Sequence, residues 1–157
     1  GTTLRLRAAA FGELEADEWP AMRELTEWIA RSTGGDAVIT ANLDPLIYLT
    51  TGRRAIRSFH GDPYLLFYAD DPRRKPVVTI EAFCRHLETH RVGYVVETPT
   101  AMFSENSHYV RMLRELRAAM PGLLAPRIQL RGGKYAIYEV NRDKLASRIR
   151  PSPNPIR

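Results

Sequence analysis

Three carboxylates in this chain, Asp44, Asp62 and Glu97, follow short apolar runs, and His60 and Tyr64 stand beside the second of them. Such groups gathered on one rim have the chemistry to hold a divalent cation or to act as general acid and base. Asn42 adds an amide near the first carboxylate, and Arg53 and Arg54 add guanidinium forks that match phosphate oxygens. The candidate binding set is therefore Asn42, Asp44, Arg53, Arg54, His60, Asp62, Tyr64 and Glu97.

Each member also has an explanation without a ligand. Asp44-Pro45 reads as an N-cap followed by proline at the first helical position, with Gly52 as the stop and Leu46, Ile47 and Leu49 buried against a sheet. Asp62-Pro63 and Asp71-Pro72 start turns. Glu97 precedes Thr98-Pro99 and reads as loop. Arg54 and Arg57 fall on opposite faces of a strand, so they are not one clamp. Local punctuation accounts for the carboxylates, so no catalytic residue is assigned and no metal or cofactor is expected. Asn42 and Asp44 remain the first place to look for binding.

Other constellations carry less. His86 and His90 are four apart on a helix, but "HLETH" lacks the metalloprotease glutamate and a third ligand, and reads as a solvated face. Cys84, the single cysteine, reads as a buried inert thiol and excludes an internal disulfide. There is no glycine-rich phosphate loop after the first strand and no G-x-S-x-G elbow.

The elements that must position these residues follow from apolar periodicity. Met22, Leu25, Trp28 and Ile29 recur at three- and four-residue steps before Gly34-Gly35, which predicts a helix, with Trp28 in the core and Trp19 at a sheet edge or a neighbouring domain. "AVIT" predicts a buried strand, "RAIRSF" a second and "GYVVET" a third. Helices are predicted at "VTIEAFCRHLETHR" and "SENSHYVRMLRELRAAM". "LLAPRIQLR" and "YAIYEV" around Gly132-Gly133 predict a terminal hairpin. This alternation is that of a layered α/β/α domain with a mostly parallel sheet of about five strands and a C-terminal antiparallel hairpin at its edge. Residues 1–16 read as a lead-in, 17–141 as one α/β domain, and 142–157 as a basic, proline-rich, disordered tail.

Charge sharpens this division. The chain of 157 residues carries a net charge of +5, yet residues 141–157 hold five basic residues against Asp143, leaving +1 for all that precedes them. A near-neutral body without a basic, aromatic-interleaved patch argues against nucleic acid as a partner. No apolar run approaches the roughly 18–20 residues of a membrane-spanning helix. The chain begins with Gly1 rather than Met, and the expectation is that a membrane portion precedes it.

The stretch "LTEWIARSTGGDAVITANLDPLIYLTTGRRAI" resembles the extracytoplasmic C-terminal region of bacterial multi-spanning glycosyltransferases of the GT-C type. These are relatives of protein mannosyltransferases and of the aminoarabinose transferase. The matching features are Thr33 with Asp36 to Ile39, Pro45 to Arg54, Tyr94 to Val96, and the closing Tyr135 to Val140, within residues 22–140. Ser32 to Gly34 read "S-T-G" where that family has "N-T-P". The resemblance implies a parent enzyme that uses polyprenyl-phosphate sugars and keeps its catalytic acids in membrane-portion loops, so none transfers to this chain. The implied function is a non-catalytic, periplasmic-face module whose partners are the parent's membrane portion and a lipid-linked sugar or acceptor. The alternative is a freestanding metal-dependent hydrolase or phosphoryl-transfer enzyme built on Asp44, Asp62 and Glu97.

Overall fold

Met22, Leu25 and Ile29, with Ala21, form one apolar stripe and bury it along helix α1, Glu18–Ser32. The chain is described by a computed structural model over residues 18–57, 79–99 and 106–149. The lead-in at 1–16, the Asp-Pro-rich stretch at 60–76 and the chain end at 150–157 lie outside the described residues. After α1 come β1 (Val38–Ala41), α2 (Asp44–Thr51), β2 (Arg54–Arg57), α3 (Ile80–Thr89), β3 (Tyr94–Glu97), α4 (Asn106–Ala119), β4 (Leu124–Leu130), β5 (Tyr135–Val140) and α5 (Arg142–Ile149). Thr79 caps α3 by accepting from the Ala82 amide at 3.1 Å. Gly52 closes α2 in the left-handed conformation, its N–H donating to the Tyr48 carbonyl. Among the described residues, no helix is long and apolar enough to cross a membrane.

The five strands form one mixed sheet in the order β2-β1-β3-β5-β4. β1 pairs in parallel with β2 and β3, whereas β5 runs antiparallel to β3 and β4. Four strands thus share a direction and β5 alone is reversed. The predicted hairpin is present, but its reversed strand lies inside the sheet rather than at the edge. Burial explains this placement. Five of the six residues of β5 are buried, which demands cover on both faces, while β4 alternates and carries Pro126 beside a register shift, as an edge strand tolerates.

Side-chain alternation divides the interior into two cores. Val95, Ala136 and Tyr138 face Phe83 and Leu87 of α3 and Leu113 and Leu116 of α4, whereas Ile39, Val96 and Ile137 face α1 and Ile47 of α2. Trp28 is half-buried and meets the Tyr94 ring edge-on at 6.0 Å, while Trp19 is exposed. Leu49, expected to bury with Ile47, is 78% exposed.

The chain end differs from the sequence expectation. Residues 142–149 form helix α5 rather than a disordered tail, because Leu145 is fully buried in the core shared with α3 and α4. Asn141 accepts from the Lys144 amide at 3.1 Å, and Lys144 Nζ donates to the Pro121 carbonyl at 2.7 Å. The basic residues that suggested a solvated tail therefore flank a docked apolar anchor. Leu145→Ala is expected to lower the unfolding free energy by about 2–4 kcal/mol, read from the shift of the urea midpoint. A midpoint equal to wild type would place residues 142–149 outside the cooperative fold.

Candidate functional site

At the β1–α2 turn, Asp44 is already the first helical residue, and Leu43 holds the cap position without a side-chain cap bond. The Asp44 carboxylate instead accepts from Arg57 Nε at 3.1 Å, joining the start of α2 to the end of β2. The expected capping role of Asp44 is therefore replaced by a cross-element ion pair. Asn42 lies half-buried in the same turn.

Arg53 has a structural task as well. It donates from Nη2 to the carbonyls of Ala30 and Thr33, each at 3.0 Å, and from Nε to Thr33 Oγ1 at 3.1 Å. These bonds satisfy the carbonyls that the end of α1 leaves open, where positive charge is also favoured by the helix dipole. Arg54 is exposed at the start of β2. His60, Asp62 and Tyr64 lie outside the described residues. The structure thus brings Asp44 together with Arg57, not with Arg53 or Arg54.

Glu97 is the residue whose surroundings depart most from the sequence reading. It ends β3 rather than sitting in a loop, and only 5% of it is exposed. Arg117 Nη1 donates to Glu97 Oε2 at 2.8 Å and to the Tyr138 hydroxyl at 2.7 Å, and that hydroxyl donates to Glu97 Oε2 at 3.1 Å. The guanidinium carbon also lies 4.9 Å from the centre of the Tyr138 ring. Strand register creates the arrangement. Val95 pairs with Tyr138 and Glu97 with Ala136, so Glu97 and Tyr138 are diagonal neighbours on the face that α4 covers.

Burial pushes the Tyr138 phenol pKa up, and the Glu97 charge pushes it the same way, against Arg117 and a hydrogen bond from Gln129. Tyr138 is therefore a neutral donor that helps hold the carboxylate, not an activated base. Burial likewise raises the Cys84 thiol, with a smaller opposing effect of Arg148, in keeping with an inert core cysteine.

Above this network lies a cleft of about 370 Å³ between α4 and the turn joining β4 to β5. Glu97, Arg117 and Tyr138 form part of its lining, with Arg114, Gln129 and Lys134 around them. Arg114, Arg117, Tyr138 and Lys134 were not singled out from sequence. Tyr138 reads there as one more core residue of an apolar strand, and Arg117 as one of several arginines flanking the α4 stripe.

The histidine pair is also less solvated than expected. His86 and His90 are half-buried, their ring centres 4.9 Å apart, and His86 Nε2 lies 3.0 Å from Thr40 Oγ1. The Thr40 hydroxyl also lies 3.2 Å from the Ile56 carbonyl, so it links His86 to the β1–β2 pair. Among the described residues no group of three His, Cys, Asp or Glu side chains could hold a metal ion. No protein-family profile, curated protein or solved structure matches the chain.

The Glu97 network generates a stability prediction. Glu97→Ala leaves Arg117 uncompensated and is expected to cost about 3 kcal/mol, at the low end for a broken buried pair because a third of Arg117 remains in water. Tyr138→Phe is expected to cost about 1 kcal/mol. Glu97→Leu combined with Arg117→Met should recover most of the Glu97 loss, and additive costs in that double variant would contradict the pairing.

A second prediction concerns pH. The raised phenol pKa stabilises the folded state fully below the ordinary value of 10.0, and this contribution is lost as pH rises through the raised value. Denaturation midpoints should therefore fall more steeply above about pH 10 in wild type than in Tyr138→Phe. Equal slopes would show that the phenol titrates alike in the folded and unfolded chains.

Proposed function

We propose that the chain is a non-catalytic α/β module of a membrane-embedded, glycosyltransferase-like protein that uses polyprenyl-phosphate sugars. It acts outside the cytoplasm, on the periplasmic face, with the parent's membrane portion as its partner and a lipid-linked sugar or acceptor as a further one. The observation that carries this reading is the state of the described rim carboxylates. Asp44 is engaged by Arg57, and Glu97 by both Arg117 and Tyr138, so each ties secondary-structure elements together. A general acid or base needs a carboxylate that reaches a substrate and exchanges its proton near the working pH. Carboxylates held by arginine are better suited to fixing a scaffold. The resemblance of residues 22–140 to the outer region of multi-spanning glycosyltransferases supplies the membrane attachment and the class of parent enzyme.

The test has two arms. The natural coding sequence upstream of Gly1 is expected to encode several apolar spans when scanned with a window of about 19 residues, and a start codon close to Gly1 would overturn the attachment. The purified chain is expected to show no turnover of p-nitrophenyl phosphate with magnesium, manganese or zinc. Turnover that Asp44→Asn abolishes would instead establish a freestanding phosphoesterase on the acidic rim.

A further inference from the structure

We propose that the cleft between α4 and the β4–β5 turn binds a phosphomonoester, gripped by Arg114 and Lys134 above the Glu97–Arg117–Tyr138 floor. Its volume of about 370 Å³ falls within the range of small-molecule sites. Three cations, Arg114, Arg117 and Lys134, line it against one carboxylate, Glu97. Arg117 and Glu97 are committed to each other, which leaves the charges of Arg114 and Lys134 uncompensated within the cleft.

Among the described residues, several other cations are committed to carboxylates or carbonyls. Arg57 holds Asp44, Arg127 holds Glu139, Arg53 closes α1 and Lys144 reaches the Pro121 carbonyl. The Arg114 guanidinium and the Lys134 ammonium engage no carboxylate among the described residues. Both side chains belong to exposed residues at the mouth of the cleft, where a ligand can reach them.

The turn beside them suits close approach. Gly132 and Gly133 have φ of 68° and 86°, and no atom lies within 4 Å of where a Cβ would stand on either. Their conformation favours glycine, so bare backbone borders the cleft without an obstructing side chain. Gln129 supplies an amide on the cleft lining for a hydroxyl of the esterified group. Two uncommitted cations match the charge of about −1.5 to −2 on a phosphomonoester, whereas a carboxylate would neutralise one of them. The site does not depend on attachment to a membrane protein, so a failed upstream scan leaves the following test intact.

Calorimetric titration of the purified chain tests the proposal with three probes: glycerol 3-phosphate, phosphatidylcholine vesicles carrying phosphatidic acid, and acetate. Saturable binding of a phosphate probe is expected, weaker by about tenfold or more in Arg114→Gln and in Lys134→Gln. The control Arg85→Gln removes the same charge from the exposed face of α3 and should bind as wild type. Binding of glycerol 3-phosphate would assign a soluble ester, and binding of the vesicles alone a lipid headgroup. Saturation by neither phosphate probe, acetate bound as tightly as phosphate, or equal weakening by Arg85→Gln would each overturn the assignment.

Discussion

An ionised carboxylate taken almost wholly out of water is unfavourable by several kcal/mol unless opposite charge and hydrogen bonds replace its hydration. Glu97 imposes that constraint at the end of the sheet's central strand. Its two partners come from α4 and β5, twenty and forty-one residues further along the chain. Satisfying one carboxylate therefore fixes the depth of α4 over the sheet and the register of β5 against β3. Tyr109 adds a second tie on the same helix by donating from its hydroxyl to the Val96 carbonyl at 3.1 Å. Apolar packing around Leu113 and Leu116 supplies the larger driving force but is non-directional, so alignment rests more on these polar contacts.

What could be read from the sequence follows the range of the interactions. The stripe of α1, the runs of β3 and β5 and the Gly132-Gly133 turn are properties of a few neighbouring residues, and each appears where periodicity and turn chemistry place it. The order of strands is not such a property. Nothing in "YAIYEV" states which strand it pairs with, although its continuous burial fits an internal position. Helix α5 was obscured for a different reason: four of its eight residues are charged, and a single leucine, Leu145, docks it.

The candidate site shows the same division. Asp44 stands at a strand-to-helix turn, as the alternation of elements predicts, and Glu97 ends a strand where the sequence reads as loop, but the roles of both come from arginines thirteen and twenty residues away. An arginine's reach of several ångströms makes its partner a matter of tertiary placement. Arg53, Arg57 and Arg117 look interchangeable with Arg114 in composition. In the fold the first three are bonded to carbonyls or carboxylates, and Arg114 lines a cleft. Several of the cations behind the net charge of +5 are thus spent on holding the fold rather than on a ligand.

The reversed strand also moves the place where a ligand is best accommodated. In an open parallel sheet the favoured crevice lies at the carboxyl ends where strand order changes direction, here between β1 and β3. At that point Thr98 is buried, and Asp44 beside β1 is already paired. β5 shifts the balance, because two antiparallel pairings in succession restore β4 to the direction of β3. Gln129 of β4 and Glu97 of β3 both pair with Ala136, so the β4–β5 turn rises at the carboxyl end of β3. The turn carries Lys134 and two glycines onto the rim, opposite Arg114 of α4. A parallel β5 would need a long crossover to reach its place and could not deliver a tight, basic turn there. The cleft is thus a consequence of the hairpin, and the hairpin is held at its depth by Tyr138 and Glu97.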